Sequence, residues 1–484
     1  MLFNSYAFGL FFTLVLLFYF LLPHKLRWVF LLLASVIFYM FFKPEYILIL
    51  GFITIVTYLT GLQIEASNSQ KKKKQYLVIS IIANIAILVF FKYFNFINGN
   101  ITGLVNFFGW RNPIPYLDIL LPVGLSFYTF QAMSYSIEVY RKKQEAEKHV
   151  GIYTLYLMFF PKLVAGPIER PQNLLPQFRK RHVFSLLNLF SGLRLMAWGF
   201  FKKLVIADRL AIYVNDIYYD PANHHWLNLV LAAVFFALQL YFDFSGYSDI
   251  AIGAAKTLGF DLMQNFNSPY SAKSVSEFWR RWHISLSTWV NDYLYTPLVI
   301  GTRDYGKAGL VFSLLVAFLV IGLWHGASWN FIVFGLLQGL VLSYEALTKK
   351  LRKRISNKTP SGLYNGLSIF LVFLFWSFSL VFFRSSSIVE ATEIVKNIFT
   401  LNSQFSFSHV IVQANYVQFG TLSLVIVLVA TLLVFFIERK LKYDLTDLNS
   451  GKKQLADILF TTACVTSILA LGVFQKTSFI YIQF

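Results

Sequence analysis

The chain has 484 residues, of which 57% are hydrophobic, 19% aromatic and only 13% charged. A soluble domain carries about a quarter charged residues, so this composition excludes one and points to a polytopic membrane protein, a single embedded domain over 1–484. The formal net charge of +19 does not read as nucleic-acid binding, because the basic residues cluster in short loops between apolar spans. Those clusters are Lys71 to Lys74, Arg141 to Lys143, Arg179 to Arg181, Lys349 to Arg354 and Glu438 to Lys442. The pattern is positive-inside, which sets orientation and attracts anionic headgroups; the lipid bilayer is an expected partner and nucleic acid is not.

Apolar runs of roughly 17 to 25 residues are long enough to cross a bilayer as helices. In chain order they fall near 6–22, 28–42, 46–62, 76–94, 117–140, 186–212, 227–250, 308–325, 327–346, 364–384, 420–437 and 455–475. The expected fold is therefore all-α, with eleven or twelve transmembrane helices. The first run starts at Leu2 without a basic region or a small-residue cleavage site and reads as a retained span. Basic loops on the inside place 63–75, 141–149, 170–182, 251–306, 348–358 and 438–453 on the cytoplasmic face. The lysine-poor loops 95–115, 213–226 and 385–418 then face outward. Three stretches are apolar but interrupted: Pro122 to Gln131, 151–171 with its Pro161-Lys-Leu-Val-Ala-Gly-Pro run, and the aromatic 261–306. Irregular backbone at membrane depth must be buried in protein or line water, so these are expected to form re-entrant and interfacial helices around a central funnel. No internal repeat is visible, which argues against a secondary transporter.

Chemistry concentrates in a few positions. His325, in Leu323-Trp-His-Gly-Ala-Ser-Trp-Asn, is an ionisable group inside an apolar segment, a functional candidate by default and otherwise a core histidine satisfied by a neighbouring helix. His283 lies in Ser276-Glu-Phe-Trp-Arg-Arg-Trp-His-Ile-Ser-Leu-Ser-Thr-Trp. There Val275, Phe278, Trp279, Trp282, Leu286 and Trp289 follow helical spacing, and Ser276, Arg280, His283 and Ser287 form an opposing polar row. The plain alternative is an interfacial helix whose tryptophans sit at headgroup level. If the two imidazoles meet, they suit acyl transfer: one takes the proton from an attacking hydroxyl and the other steadies the oxyanion or positions the groups. Asp243 and Asp249, expected near the end of a span, either orient a histidine or line the funnel, or pair with Arg280, Arg281 or Lys256. Glu169 and Arg170 read as turn-fixing. The sole cysteine, Cys464, gives no disulfide or thiolate nucleophile. His224 and His225 lack a third ligand, so no metal is expected. His24, His149, His182 and His409 sit in loops and need no special role. Phosphate-binding glycine loops, serine elbows and HExxH patterns are absent.

Taken together, Leu121-Pro-Val-Gly-Leu-Ser-Phe-Tyr-Thr-Phe-Gln, Ala165-Gly-Pro-Ile-Glu-Arg-Pro, Asp243-Phe-Ser-Gly-Tyr-Ser-Asp-Ile-Ala-Ile-Gly, Trp279-Arg-Arg-Trp-His-Ile-Ser-Leu-Ser and Leu323-Trp-His-Gly-Ala-Ser-Trp resemble the membrane-bound O-acyltransferase (MBOAT) family. The closest likeness is to its bacterial envelope branch, the alginate O-acetyltransferases and the D-alanyl-lipoteichoic acid proteins. The ending Phe479-Ile-Tyr-Ile-Gln-Phe also looks like that branch, although Pro and a second Phe are common there. The resemblance implies a ring of tilted helices around a funnel, with the catalytic core near 118–350. It implies His325 as the catalytic histidine and His283 as a second active-site residue. Trp324, Arg280, Trp279, Trp282, Asp243, Asp249 and Asn330 are then expected to line or position the funnel. No tightly bound cofactor is implied; acetyl-CoA or another acyl thioester is the expected donor on the cytoplasmic side of a bacterial membrane. The expected acceptor is an extracytoplasmic polysaccharide, reached with a separate extracytoplasmic esterase-like protein. The long section after residue 348 favours acetyl over D-alanyl transfer; peptidoglycan acetylation, a lipid-linked sugar transporter and a non-catalytic adaptor are the alternatives.

Overall fold

The computed structural model describes residues 1–400, 420–441, 451–474 and 479–480. His409, the outward loop beyond residue 400, most of the basic loop 438–453 and the ending from Tyr481 lie outside the described residues. Among the described residues every regular element is helical. Among the described residues seven helices are long and apolar enough to cross a membrane: Tyr46–Ala66, Gln70–Phe107, Trp226–Thr257, Arg303–His325, Trp329–Leu347, Ser361–Arg384 and Gly420–Arg439. Two shorter apolar helices, Tyr6–Leu21 and Leu455–Leu471, accompany them. The remaining expected crossings, near 28–42, 117–140 and 186–212, are helical over Met40's and Tyr140's helices and over 186–219 but fall outside that class. The chain packs as two compact units: Met1–Met196 with Ile250–Met263, and Ala197–Asp249 with Gln264–Phe484.

In the first unit the interrupted stretches are buried by protein. The helix Leu125–Tyr140 has almost every side chain buried. It opens at Gly124, whose φ of +77° and whose approach to the Leu163 carbonyl leave no room for a side chain: a Cβ there would lie 2.5 Å from that oxygen. The helix Val150–Met158 ends three residues before Pro161, and the irregular run that follows is also buried. Its polar groups find partners: the Lys162 ammonium donates to Gln131 Oε1 at 2.5 Å, and the Glu169 carboxylate accepts from Met263 N and from Asn173 at 2.7 Å.

In the second unit a π-helical segment, Phe201–Ala207, joins Leu186–Phe200 to Asp208–Tyr219. It carries two consecutive buried lysines whose burial is tolerable only because each meets a carboxylate. Lys202 Nζ lies 2.5 Å from Asp249 Oδ2. Lys203 Nζ lies 2.5 Å from Asp243 Oδ1 and 2.8 Å from Asp208 Oδ1. The aspartates therefore do not pair with Arg280, Arg281 or Lys256, and they do not end a span. Their helix, α1 here (Trp226–Thr257), runs 32 residues and holds both in its interior.

The stretch expected as one amphipathic helix over 275–289 is broken. It forms α2 (Val275–Trp279) and α3 (Ile284–Val290), with His283 between them at φ +42°. Its six apolar residues are all buried, so the tryptophans pack inside protein instead of lying at headgroup level. Beyond them, α4 (Gly306–His325) and α5 (Trp329–Leu347) form a tight hairpin. Gly322 and Gly335 let the backbones touch: a Cβ on either would fall 2.2 Å or 2.4 Å from a carbonyl oxygen of the other helix. The chain continues through α6 (Lys349–Lys358), α7 (Ser361–Arg384) and α8 (Gly420–Phe436).

Replacing Lys203 with methionine should destabilise the purified protein by about 3–5 kcal/mol, since it removes the cation from between two buried carboxylates. Adding Asp243→Asn should recover part of the loss in thermal unfolding, because the amide keeps an acceptor without the charge.

Candidate active site

His325 is the last residue of α4, and Gly326 beyond it turns the chain toward α5. The imidazole is 4% exposed and enclosed by aromatic rings, with centroids of Trp324 at 4.9 Å, Phe383 at 5.1 Å and Phe334 at 6.1 Å. A helix ends there with its carbonyls facing outward, so the position is electrostatically suited to a positive charge formed when the ring takes a proton.

His283 is 0% exposed. Its ring packs edge-on against Phe244 at 4.7 Å and against Trp324 at 5.7 Å. Trp324 thus touches both imidazoles, and the two histidines, 42 residues apart, belong to one aromatic cluster. The left-handed turn at His283 is held by Asn265. Its backbone carbonyl accepts from Ile284 N at 2.9 Å, while Oδ1 accepts from Ser285 N at 3.2 Å and from Ser285 Oγ at 2.7 Å. The backbone donor identifies that side-chain atom as the oxygen. His283 Nδ1 lies 3.3 Å from the same oxygen. A hydrogen bond there requires a proton on Nδ1, which places the lone pair of the neutral ring on Nε2. Burial favours that neutral form and lowers the His283 pKa to about 3.

The other expected residues divide. Trp279 donates through Nε1 to Gln338 Oε1 at 3.1 Å, and Gln338 donates to Ser379 Oγ at 2.9 Å, tying α2, α5 and α7 together. Trp282 stacks on Phe278 at 5.5 Å and meets Trp376 at 4.9 Å. These two tryptophans join the wall of the cluster. Asn330 donates to the Ser385 carbonyl at 2.7 Å and fastens the start of α5 to the end of α7. Arg280 is exposed, outside the buried cluster, because the break after α2 turns it away from the row it would share with His283 on a continuous helix. Asp243 accepts from Lys203 and, through Oδ2, from Ile480 N at 2.8 Å. Asp249 faces Lys202. Both aspartates act within ion pairs. His224 lies 3.8 Å from Asp216, and among the described residues no group of three side chains could hold a metal ion.

Asn265, Gln338, Trp376 and the Lys202–Lys203 pair were not picked out from the sequence. Only the lysines left a signal there: two charges within the apolar run 186–212 demand buried partners.

Several known proteins are similar to this chain over much of its length. A probable alginate O-acetylase of Azotobacter vinelandii is 36% identical over 439 residues, spanning 89% of this chain and 84% of its own. A peptidoglycan O-acetyltransferase of Helicobacter pylori is 32% identical over 398 residues, 77% of this chain and 73% of its own. A teichoic acid D-alanyltransferase of Bacillus subtilis is 28% identical over 282 residues, 55% of this chain and 70% of its own. The model of the MBOAT, membrane-bound O-acyltransferase family, matches residues 124–388, a stretch that contains both histidines and the hairpin that presents His325. With that match and with relatives this similar over most of its length, the chain belongs to the membrane-bound O-acyltransferase family and is a multi-pass membrane O-acyltransferase.

Proposed function

We propose that the chain moves acetyl groups from a thioester donor on the cytoplasmic side of a bacterial membrane toward hydroxyls of an extracytoplasmic polysaccharide, with His325 as the base. The observation that supports this most is Trp324 packed against two buried imidazoles at the end of a spanning helix. Acetyl is favoured over D-alanyl because the relatives named for acetylation match more of the chain, at higher identity, than the D-alanyltransferase.

In the proposed step His325 takes the proton of the acceptor hydroxyl, or of a relay group, as its oxygen attacks the thioester carbonyl. The tetrahedral intermediate collapses with loss of the C–S bond, and the departing thiolate receives the proton from the imidazolium. His283, neutral and with its lone pair on Nε2, accepts a hydrogen bond from a second hydroxyl of the acceptor sugar and so orients the attacking one toward His325; steadying an oxyanion would need a second proton that burial opposes. A water-poor aromatic cavity strengthens these interactions and limits hydrolysis of the donor. Acetyl-CoA is the proposed donor, and a separate extracytoplasmic esterase-like protein completes transfer onto the glycan.

Cells carrying His325→Ala, matched for membrane protein level, should lose alkali-releasable acetate from their envelope glycans. Normal acetate in that strain would refute the assignment. The pH profile separates the histidines. A base must be unprotonated, so turnover falls as pH falls through its pKa, and a ring held near 3 does not titrate between about pH 5 and 8. His283→Asn, a residue that tolerates the left-handed turn, should lower turnover but leave the midpoint of any acidic limb in that window unchanged. A moved midpoint would assign the limb to His283. Asn265→Ala frees the His283 ring and its turn, and should cost about 100-fold in turnover, the cost of misplacing a site group by about 1 Å, with little change in the apparent KM for donor.

A further inference from the structure

A groove in the second unit is unused by this chemistry. It encloses about 360 Å³. Its apolar walls come from Ile369, Phe370 and Phe373 of α7 and Phe435 of α8, two helices that meet the requirements for crossing a membrane. One end is polar, with Ser268, Ser271, Tyr241, Glu438 and Arg439. The Tyr241 hydroxyl donates to the Glu438 carboxylate, 2.8 Å and 2.7 Å from its oxygens, and Lys202 offsets that carboxylate's charge. Arg439 is exposed.

Beyond the Glu438 carboxylate, the charge around that end is predominantly basic. Immediately before α7, α6 places Lys349, Lys350, Arg352, Lys353, Arg354 and Lys358 within ten residues. Its exposed Leu351 and Ile355 lie one turn apart, the pattern of a helix resting in the headgroup layer. Gly366 of the groove is only five residues into α7, a rise of about 8 Å from that basic helix. A slot of apolar walls at hydrocarbon depth, opening beside arginine and lysine at the headgroup level, has the shape and charge of one anionic phospholipid.

We propose that this groove binds a single anionic phospholipid from the cytoplasmic leaflet, one acyl chain lying against Phe370, Phe373 and Phe435 and the headgroup held by Arg439 and the two serines. The inner wall of the groove is shared with the histidine cluster: Tyr241 and Tyr270 pack on Trp282 at 6.1 Å and 6.4 Å, next in sequence to His283. An occupied groove therefore supports the Trp282 side of the cluster without supplying a reacting group.

The full-length protein, purified in a mild detergent and stripped of lipid, would be titrated with palmitoyl-oleoyl phosphatidylglycerol or with the phosphatidylcholine of the same chains, and bound lipid counted by native mass spectrometry. One phosphatidylglycerol should be retained in preference to phosphatidylcholine. Gly366 has open space where a side chain would stand, so Gly366→Phe should fill the groove and abolish that first binding event. Leu371→Phe, on an exposed part of α7, should leave it intact. Arg439→Gln should weaken phosphatidylglycerol about fivefold and leave phosphatidylcholine unchanged, and it tests the headgroup even if the glycine variant folds poorly. Equal retention of both lipids, or wild-type retention by a folded Gly366→Phe protein, would overturn the proposal. Neither readout depends on acyl transfer, so the site stands or falls apart from the proposed reaction.

Discussion

The Asp243 carboxylate is the joint on which the second unit turns. One oxygen faces the Lys203 ammonium and the other accepts the backbone N–H of Ile480, so a single buried side chain fixes the π-helical segment and Ile480 at once. Lys203 also reaches Asp208 and lies 4.5 Å from the Phe479 ring centroid, which in turn meets Tyr247. A charge so placed carries a desolvation penalty of several kcal/mol, about what its partners must return for the arrangement to be tolerated. The next residue, Phe244, is the ring against His283. Ion pairing, the anchoring of Ile480 and imidazole placement thus share two adjacent positions on α1.

Aromatic packing supplies the rest of the site's rigidity. Phe278, Trp282 and Trp376 pack ring to ring, and Gln338 converts that stack into a bolt by accepting from Trp279 and donating to Ser379. A buried amide with both ends engaged is specific in a way apolar packing is not, because a shift of either helix would strand a polar group. The glycine contact between α4 and α5 does similar work on the backbone, bringing His325 close to Phe334 and Phe331's helix without a side chain to spare.

Much of this was legible in the sequence, and the gaps have physical causes. Hydropathy located the spans and the Leu323–Asn330 stretch, because membrane burial is written in runs of apolar residues. Helical spacing marked Trp279 and Trp282 as one face, and the structure buries them together. The same spacing hid the break at His283: a four-residue interruption returns the chain to nearly the same face, so periodicity survives where the helix does not. Arg280 was misplaced for that reason. The lysine pair passed unnoticed inside an apolar run, and the aspartates were assigned to nearby basic residues because sequence gives separation along the chain, not across helices. Asn265 had no signal at all; its role comes from a tertiary contact 18 residues away.

That contact bears on why His283 sits where it does. A left-handed backbone at a non-glycine residue costs about 1–3 kcal/mol and persists only where its surroundings over-determine it. Here they do, since one asparagine takes the two backbone N–H groups that follow the turn and also faces the imidazole. A continuous helix through 275–289 would avoid the strain and satisfy those donors internally. It would also point residue 283 along the polar row with Arg280, toward solvent. The kink rotates the ring into the cluster beside Trp324 and fixes its proton on the side of Asn265, leaving the lone pair of Nε2 for chemistry. Strain held by polar contacts, at a titratable residue in a water-poor pocket, is an arrangement that stability alone gives no reason to keep.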